Sequence, residues 1–262
     1  MLHTLLGEEL FMRGMALYVR RHDGTAATCA DCVQAMQDAA EQAWADGAAL
    51  SLFDFEQFRR WYHQAGTPQL QIERHWDGEQ GALRLSVRQS TPPTPGQPQK
   101  QPVVIPLVLG LVGQAGEPLE VRLQGESSHE ARAAALPHVW GDASRLLVID
   151  QPEQEIQIEG LEPHSHPPAL SLLRGFSGPV KLEIERSTNE LLHLLACDSE
   201  PFARWDAGQV LLRQAVLERA AGSATDELEE GLVAAFERIL AEVGLCDANR
   251  SMLLALPGLP EL

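Results

Sequence analysis

The sequence predicts a multi-domain chain of α and β parts in series: a helical segment, an antiparallel β-sandwich of about seven strands, and the start of an α-helical array. Three observations predict it. Up to His63 the apolar residues recur every three or four positions, as on one face of a helix. From Leu70 to Ile184 they alternate, as on a half-buried strand, and no long helical segment separates the strands. At Ser187 the helical period returns. The expected domains are 1–67, 68–186 and 187–262.

Residues 4–22 are the first expected helix. Leu6, Leu10, Met15, Leu17, Tyr18 and Val19 give it a broad apolar side. Arg20, Arg21 and His22 stand in its last turn, where positive charge suits the helix dipole, and Gly24 ends it. Thr28 and Asp31 form a capping-box arrangement that opens a second helix with Val33, Met36 and Ala40 on its core face. Residues 41–53 are ambiguous, because Gly47 breaks the pattern. Asp54 caps a third helix, on which Phe55, Phe58, Trp61 and Tyr62 make one apolar face. Gly66 is expected as its left-handed C′ residue, and Pro68 forbids further helix. This aromatic cluster is expected to mortar the helical segment to the β part.

Leu70 and Ile72 alternate with polar residues, as do Leu83, Leu85 and Val87, and Asp77-Gly78 between them signals a hairpin. Pro92, Pro93, Pro95, Pro98 and Pro102 mark a semi-rigid surface crossing. VVIPLVLGLV, residues 103–112, reads as a strand buried on both faces and kinked at Pro106 and Gly110. Further strands are expected at Leu119–Leu123, Leu146–Ile149, Ile156–Ile158 and Val180–Ile184. Residues 126–137 look inserted, with a helical turn near 130–135. Ser187 with Glu190 is a second capping box. Pro201 stands at the start of a helix that runs to Gly222. Helices near 226–243 and 248–255 follow, closed by Gly244 and Pro257. Short connections make these antiparallel pairs, and an open final pair should bury its apolar face against something.

A net charge of −17 argues against a nucleic-acid or anionic-membrane partner, since phosphate binding needs clustered Lys and Arg. No apolar run reaches the length of a membrane-spanning helix, and Glu8 and Glu9 interrupt any leader-like run at Leu5 and Leu6. The 4 cysteines are too few for a disulfide framework, which fits a reducing, cytoplasmic setting. Met1 runs straight into a helical pattern without a capping residue, so the chain is expected to have been cut from something longer.

Two constellations are candidates for chemistry. Cys29 and Cys32 form C-x-x-C across the first turn of a helix, where a thiolate would be stabilised for a redox or metal role. The setting lacks the strand-then-helix order of a thioredoxin motif, and half-buried thiols are the plainer reading. His164 and His166, in PHSHPP, offer two imidazoles, but no acidic or thiol partner stands nearby and a surface loop is the plainer reading. The acidic pairs Glu8–Glu9 and Glu229–Glu230 read as solvated helix faces. H-E-x-x-H, G-x-S-x-G, the P-loop and G-x-G-x-x-G are all absent. No residue qualifies as catalytic, cofactor-binding or metal-binding.

Four long strings, HTLLGEELFMRGMALYVRRHDGTAATCADCVQAM, FRRWYHQAGTP, RQSTPPTPGQPQKQPVVIPLVLGL and LLRGFSGPVKLEIE, resemble the bacterial aminopeptidase N family of gluzincin zinc aminopeptidases. The resemblance runs in order to about residue 210 and is weaker beyond. It implies that 1–67 are the last helices of a thermolysin-like catalytic domain, 68–186 a β-sandwich domain and 187–262 the first helices of a C-terminal helical domain. The family holds zinc on an H-E-x-x-H helix with a downstream Glu. It binds the substrate amino terminus on a G-x-M-E-N strand and stabilises the oxyanion with a Tyr. None of these occurs here, so no family site residue carries over. Zinc and peptide substrates belong to the full-length parent, and the missing domains of that parent are the implied partners. Residues 41–53 and 124–144 are longer than the family pattern, and Cys32 stands where an aromatic is usual. The competing readings are an independent peptide- or protein-binding module and a thiol-redox protein using Cys29 and Cys32.

Overall fold

The computed structural model describes residues 1–45, 53–126, 143–164, 166–223 and 225–258. Helices α1 (Leu2–His22), α2 (Cys29–Ala45) and α3 (Phe55–His63) come first. The described strands are β1 (Gln69–Asp77), β2 (Ala82–Ser90), β3 (Ile105–Val112), β4 (Pro118–Leu119), β5 (Arg122–Leu123), β6 (Arg145–Ile149), β7 (Glu153–Glu159), β8 (Ala169–Leu172) and β9 (Lys181–Ile184). A 3-10 turn, Arg174–Phe176, joins the last two. Helices α4 (Thr188–Cys197), α5 (Pro201–Ala221), α6 (Asp226–Ala241) and α7 (Asp247–Leu253) follow. The order of helices, sandwich and helices is the predicted one.

One sheet runs β5-β7-β2-β1-β9, and in the other β3 pairs with β4, β6 and β8. Their facing side chains make the sandwich core: Leu70, Ile72, Leu83, Leu85 and Ile158 from the first, Leu107, Leu109, Ile149 and Leu170 from the second. The uninterrupted apolar run 103–112, which includes β3, is buried, and it threads three cores. Val104, just before it, belongs to the core of the first helices with Val33, Met36 and Phe58. Ile105, Leu107, Leu109 and Leu111 fill the sandwich. Val112 joins Leu194, Leu211 and Ile239 of the later helices.

The caps form much as the sequence predicts. Asp54 accepts from the Glu56 N–H at 2.8 Å. Thr28 N–H donates to Asp31 at 2.8 Å, and Asp31 N–H donates back to Thr28 Oγ1 at 3.3 Å. Trp61 supplies the expected mortar: it packs on both the first helical core and the sandwich, and its Nε1 donates to Val104 O at 2.7 Å. Arg60 donates to Pro102 O at 2.6 Å and Gln64 to Gln101 O at 2.9 Å, so the Pro-rich crossing is stitched to the end of α3.

Several details differ. α1 is interrupted at Gly7, whose φ is 75°. Gly66 is not the C′ residue: α3 ends on extended Gln64, and Gly66 lies farther on with φ +99°, where a Cβ would stand 3.3 Å from the methyls of Thr91 and Thr94. The β1–β2 turn is longer than a two-residue hairpin, with Asp77 opposite Ala82 and Gly81 in the left-handed region. A Cβ on Gly81 would stand 1.9 Å from Leu161 O. Leu119–Leu123 is not one strand. β4 pairs with β3 and β5 with β7, so the chain changes sheet between them. β8 was not foreseen, because ALSL is buried on both faces and shows no alternation. β9 pairs with β1 in parallel, which makes that sheet mixed. The Ser187 box is half-formed: Ser187 accepts from Glu190 N–H at 3.2 Å, while the Glu190 carboxylate turns to Arg74. The expectations for most of 41–53 and 124–144, and for the turn at 130–135, fall outside the described residues.

Candidate functional site

The candidates read from sequence stay apart from one another. Cys29 is exposed and Cys32 half-buried, and both thiols are free. Burial, then the neighbouring Cys29, pushes the Cys32 thiol up, the opposite of an activated thiolate. The rings of His164 and His166 stand 6.3 Å apart. His166 N–H reaches His164 Nδ1 at 3.4 Å, and His164 O accepts from Trp76 Nε1 at 2.9 Å, so the loop is engaged by its backbone. Among the described residues no three His, Cys, Asp or Glu gather into a metal-holding group.

The most organised polar centre lies where the sandwich meets α4 and α5. Arg174 is buried between β8 and β9, and each of its three guanidinium nitrogens donates a hydrogen bond. Nε donates to Ser171 Oγ at 2.8 Å, Nη1 to Ser144 Oγ at 2.9 Å, and Nη2 to Asp198 Oδ1 at 2.9 Å. Gly110 makes room for it: a Cβ there would lie 2.2 Å from Arg174 Cζ. Asp198 follows α4, so the pair is a buried bolt from the sandwich into the helices. Asp198 Oδ1 also accepts from Glu200 N–H at 3.0 Å. Glu200 in turn caps α5 by accepting from Ala203 N–H at 2.7 Å. Burial pushes the Glu200 carboxyl up from its ordinary range, against the pull of the backbone N–H groups of Ala203, Phe202 and Gly175. A second tie is bidentate: Arg74 of β1 grips Glu190 of α4, both contacts at 2.5 Å.

Leu173, Gly175 and Phe176 all have positive φ, 54°, 64° and 51°. For Leu and Phe that conformation is costly, so the surrounding contacts must hold it. It turns Phe176 outward, 57% exposed, against the Phe202 ring at 5.3 Å. Below them a cleft of about 360 Å³ opens between β9 and α5, walled by Val180, Leu182, Ile184, Leu191 and Val210. Arg186 and Asp206 form its polar end, 4.0 Å apart. Burial pushes the Arg186 guanidinium down and the Asp206 carboxyl up, each opposed by the other's charge.

Sequence reasoning missed this centre. The signal available was RGFSGP, an arginine followed by two glycines after an apolar run, where the chain must turn inside a sandwich.

Two family models adjoin along the chain. "Domain of unknown function (DUF3458) Ig-like fold" matches residues 66–185, and "Domain of unknown function (DUF3458_C) ARM repeats" matches 188–262. The chain is 34% identical to "Aminopeptidase N" of Escherichia coli (strain K12), over all of this chain and 27% of that protein. It is 38% identical to "Aminopeptidase N" of Haemophilus influenzae, over 82% of this chain and 21% of that protein. Against "Aminopeptidase N" of Caulobacter vibrioides it is 34% identical, over all of this chain and 26% of that protein. It thus spans about a quarter of the length of these relatives. Among solved structures, Legionella pneumophila aminopeptidase A in complex with aspartic acid shares the fold, with a TM-score of 0.73 and 24% identity over 99% of this chain and 25% of that one.

Proposed function

Since this chain belongs to the aminopeptidase N family along its whole length, we propose that it is a non-catalytic part of a zinc aminopeptidase, a bracket between the catalytic and helical domains of a parent that removes N-terminal amino acids from peptides. Residues 1–67 are then the closing helices of a thermolysin-like catalytic domain, 68–186 the β-sandwich domain, and 187–262 the first helices of the C-terminal domain. The setting is cytoplasmic, and among the described residues no helix is long and apolar enough to cross a membrane.

One observation carries the bracket role: the continuous stretch from Val104 through β3 contributes to all three cores, so the helical and β parts cannot move apart without opening buried surface. The sequence supports the non-catalytic part, because it holds neither the zinc helix nor the substrate-binding strand of the family. The test is direct. Pure chain is assayed for bound zinc by mass spectrometry and for hydrolysis of alanyl and leucyl amides with and without added zinc. Zinc far below one ion per chain and no turnover are expected; zinc-dependent turnover would overturn the reading.

A second reading is an independent peptide- or protein-binding module. It is favoured by the exposed Val233, Leu240 and Val243 on and just after α6, and by Leu256 beyond α7. A monodisperse monomer that binds no apolar dye at this surface would count against it.

A further inference from the structure

A thiol, an imidazole and a guanidinium meet where the β3–β4 turn crosses α4. His193 Nε2 lies 2.7 Å from Gly113 O. A carbonyl oxygen can only accept, so Nε2 carries the hydrogen, and in the neutral ring Nδ1 is left as the acceptor. Cys197, one turn farther along α4, places its Sγ 3.6 Å from that Nδ1. The thiol therefore donates to the imidazole, and the imidazole is held by the turn. A nucleophile, a base within hydrogen-bond reach and a third group that orients the base are the parts of an activated thiol. Gly116 has φ +89°, and a Cβ on it would stand 3.2 Å from Sγ, so the turn comes to the sulfur without a side chain to cover it. Cys197 and His193 are both half-buried rather than enclosed.

The surrounding charges select what such a thiol meets. Burial pushes the Cys197 thiol up, Arg238 and Arg204 pull it down, and Asp198 and Glu242 add to the rise. The thiol is thus protonated at rest and needs its base to react. Arg204 already holds Glu242 at 2.6 Å, and Arg174 holds Asp198 at 2.9 Å. Arg238, on the exposed side of α6, has no carboxylate partner among the described residues. Its Nη2 would lie 3.5 Å from a Cβ on Gly116, so an unpaired cation stands beside the sulfur.

We propose that Cys197, with His193 as its base and Arg238 beside it, is a site of mixed-disulfide formation with a small disulfide that carries carboxylates. The S–H proton passes to Nδ1 as Sγ attacks one sulfur of the small disulfide. The new S–S bond forms, the old one breaks, and the departing thiolate takes the proton back from the imidazole. Cys197 is oxidised, and one half of the reagent leaves reduced as a thiol. Arg238 receives a carboxylate of the half that stays. This goes beyond the bracket role and does not depend on it, since thiol exchange and amide hydrolysis are read separately.

The test uses the 262-residue chain and oxidised glutathione near neutral pH, with the rate at each cysteine read by quenching and mass-spectrometric mapping. Cys197 is expected to form the mixed disulfide in the folded chain. His193→Gln keeps a donor for Gly113 O but removes the base, and should slow Cys197 by about tenfold or more. It should also steepen the pH profile to about tenfold per pH unit, the slope of a thiol that reacts only as its thiolate, where the parent rises less. Cystamine, a cationic disulfide, supplies the charge control. The ratio of rates with oxidised glutathione and with cystamine should be several-fold higher at Cys197 than at exposed Cys29, and Arg238→Gln should remove that excess. Circular dichroism checks that both variants are folded. The proposal is overturned if Cys197 reacts only in urea, if folded His193→Gln matches the parent in rate and pH slope, or if Arg238→Gln leaves the ratio unchanged.

Discussion

Arg174 draws its partners from Ser171, Ser144 and Asp198, which stand 3, 30 and 24 positions away. That scatter is why no motif announced it; only the two glycines that follow it were visible. A buried ion pair is costly to break by halves, because the remaining charge is left without compensation. Arg174→Met should therefore destabilise the chain by about 3–5 kcal/mol in urea unfolding. Gly110→Ala should also destabilise it, because the added methyl meets the guanidinium. In the Arg174→Met background the alanine should cost measurably less, a coupling that a double-mutant cycle reads. Equal cost in both backgrounds would mean that Gly110 is needed for its backbone and not for the room it leaves.

Glu200 gives a prediction in pH. Its folded carboxyl titrates above the ordinary glutamate range because it is buried. A raised folded value means that the stabilising contribution is present while the group is protonated in both states. It is lost as pH rises through the raised value. Relative to Glu200→Gln, the parent chain should lose thermal stability between about pH 4.3, the ordinary glutamate value, and neutrality. A constant difference in Tm across that span would show that the N–H donors of Ala203, Phe202 and Gly175 outweigh burial.

Among the elements, α3 shows how much a short helix can fasten. Its cap at Asp54 and its aromatic face were legible, because both rest on local spacing. The partner of Trp61 was not, since Val104 lies 43 positions on. Trp61→Phe keeps most of the packing but removes the donor to Val104 O, leaving a carbonyl unpaired in a half-buried site. The expected loss is about 1–3 kcal/mol, measured by urea unfolding. The strands divide the same way. Alternation located β1, β2, β6, β7 and β9, each with one drier face. It missed β8, which is dry on both, and merged β4 with β5, whose residues alternate correctly but serve different sheets. Parallel pairing of β9 with β1 depends on where the chain returns, which no local pattern encodes.

The whole molecule is joined through its middle. Val104, the β3 interior and Val112 connect three cores along one continuous stretch of chain; Arg74–Glu190 and Arg174–Asp198 lock the sandwich to the later helices. The changes of period near His63 and Ser187 made this succession of parts readable from sequence. They said nothing of how tightly the parts are tied, which is the property a bracket needs. Differential scanning calorimetry of the pure chain tests that most directly. The account predicts one transition whose calorimetric and van't Hoff enthalpies agree, and which Arg174→Met shifts as a unit. Separate transitions for the sandwich and the later helices, with Arg174→Met moving one of them alone, would contradict it.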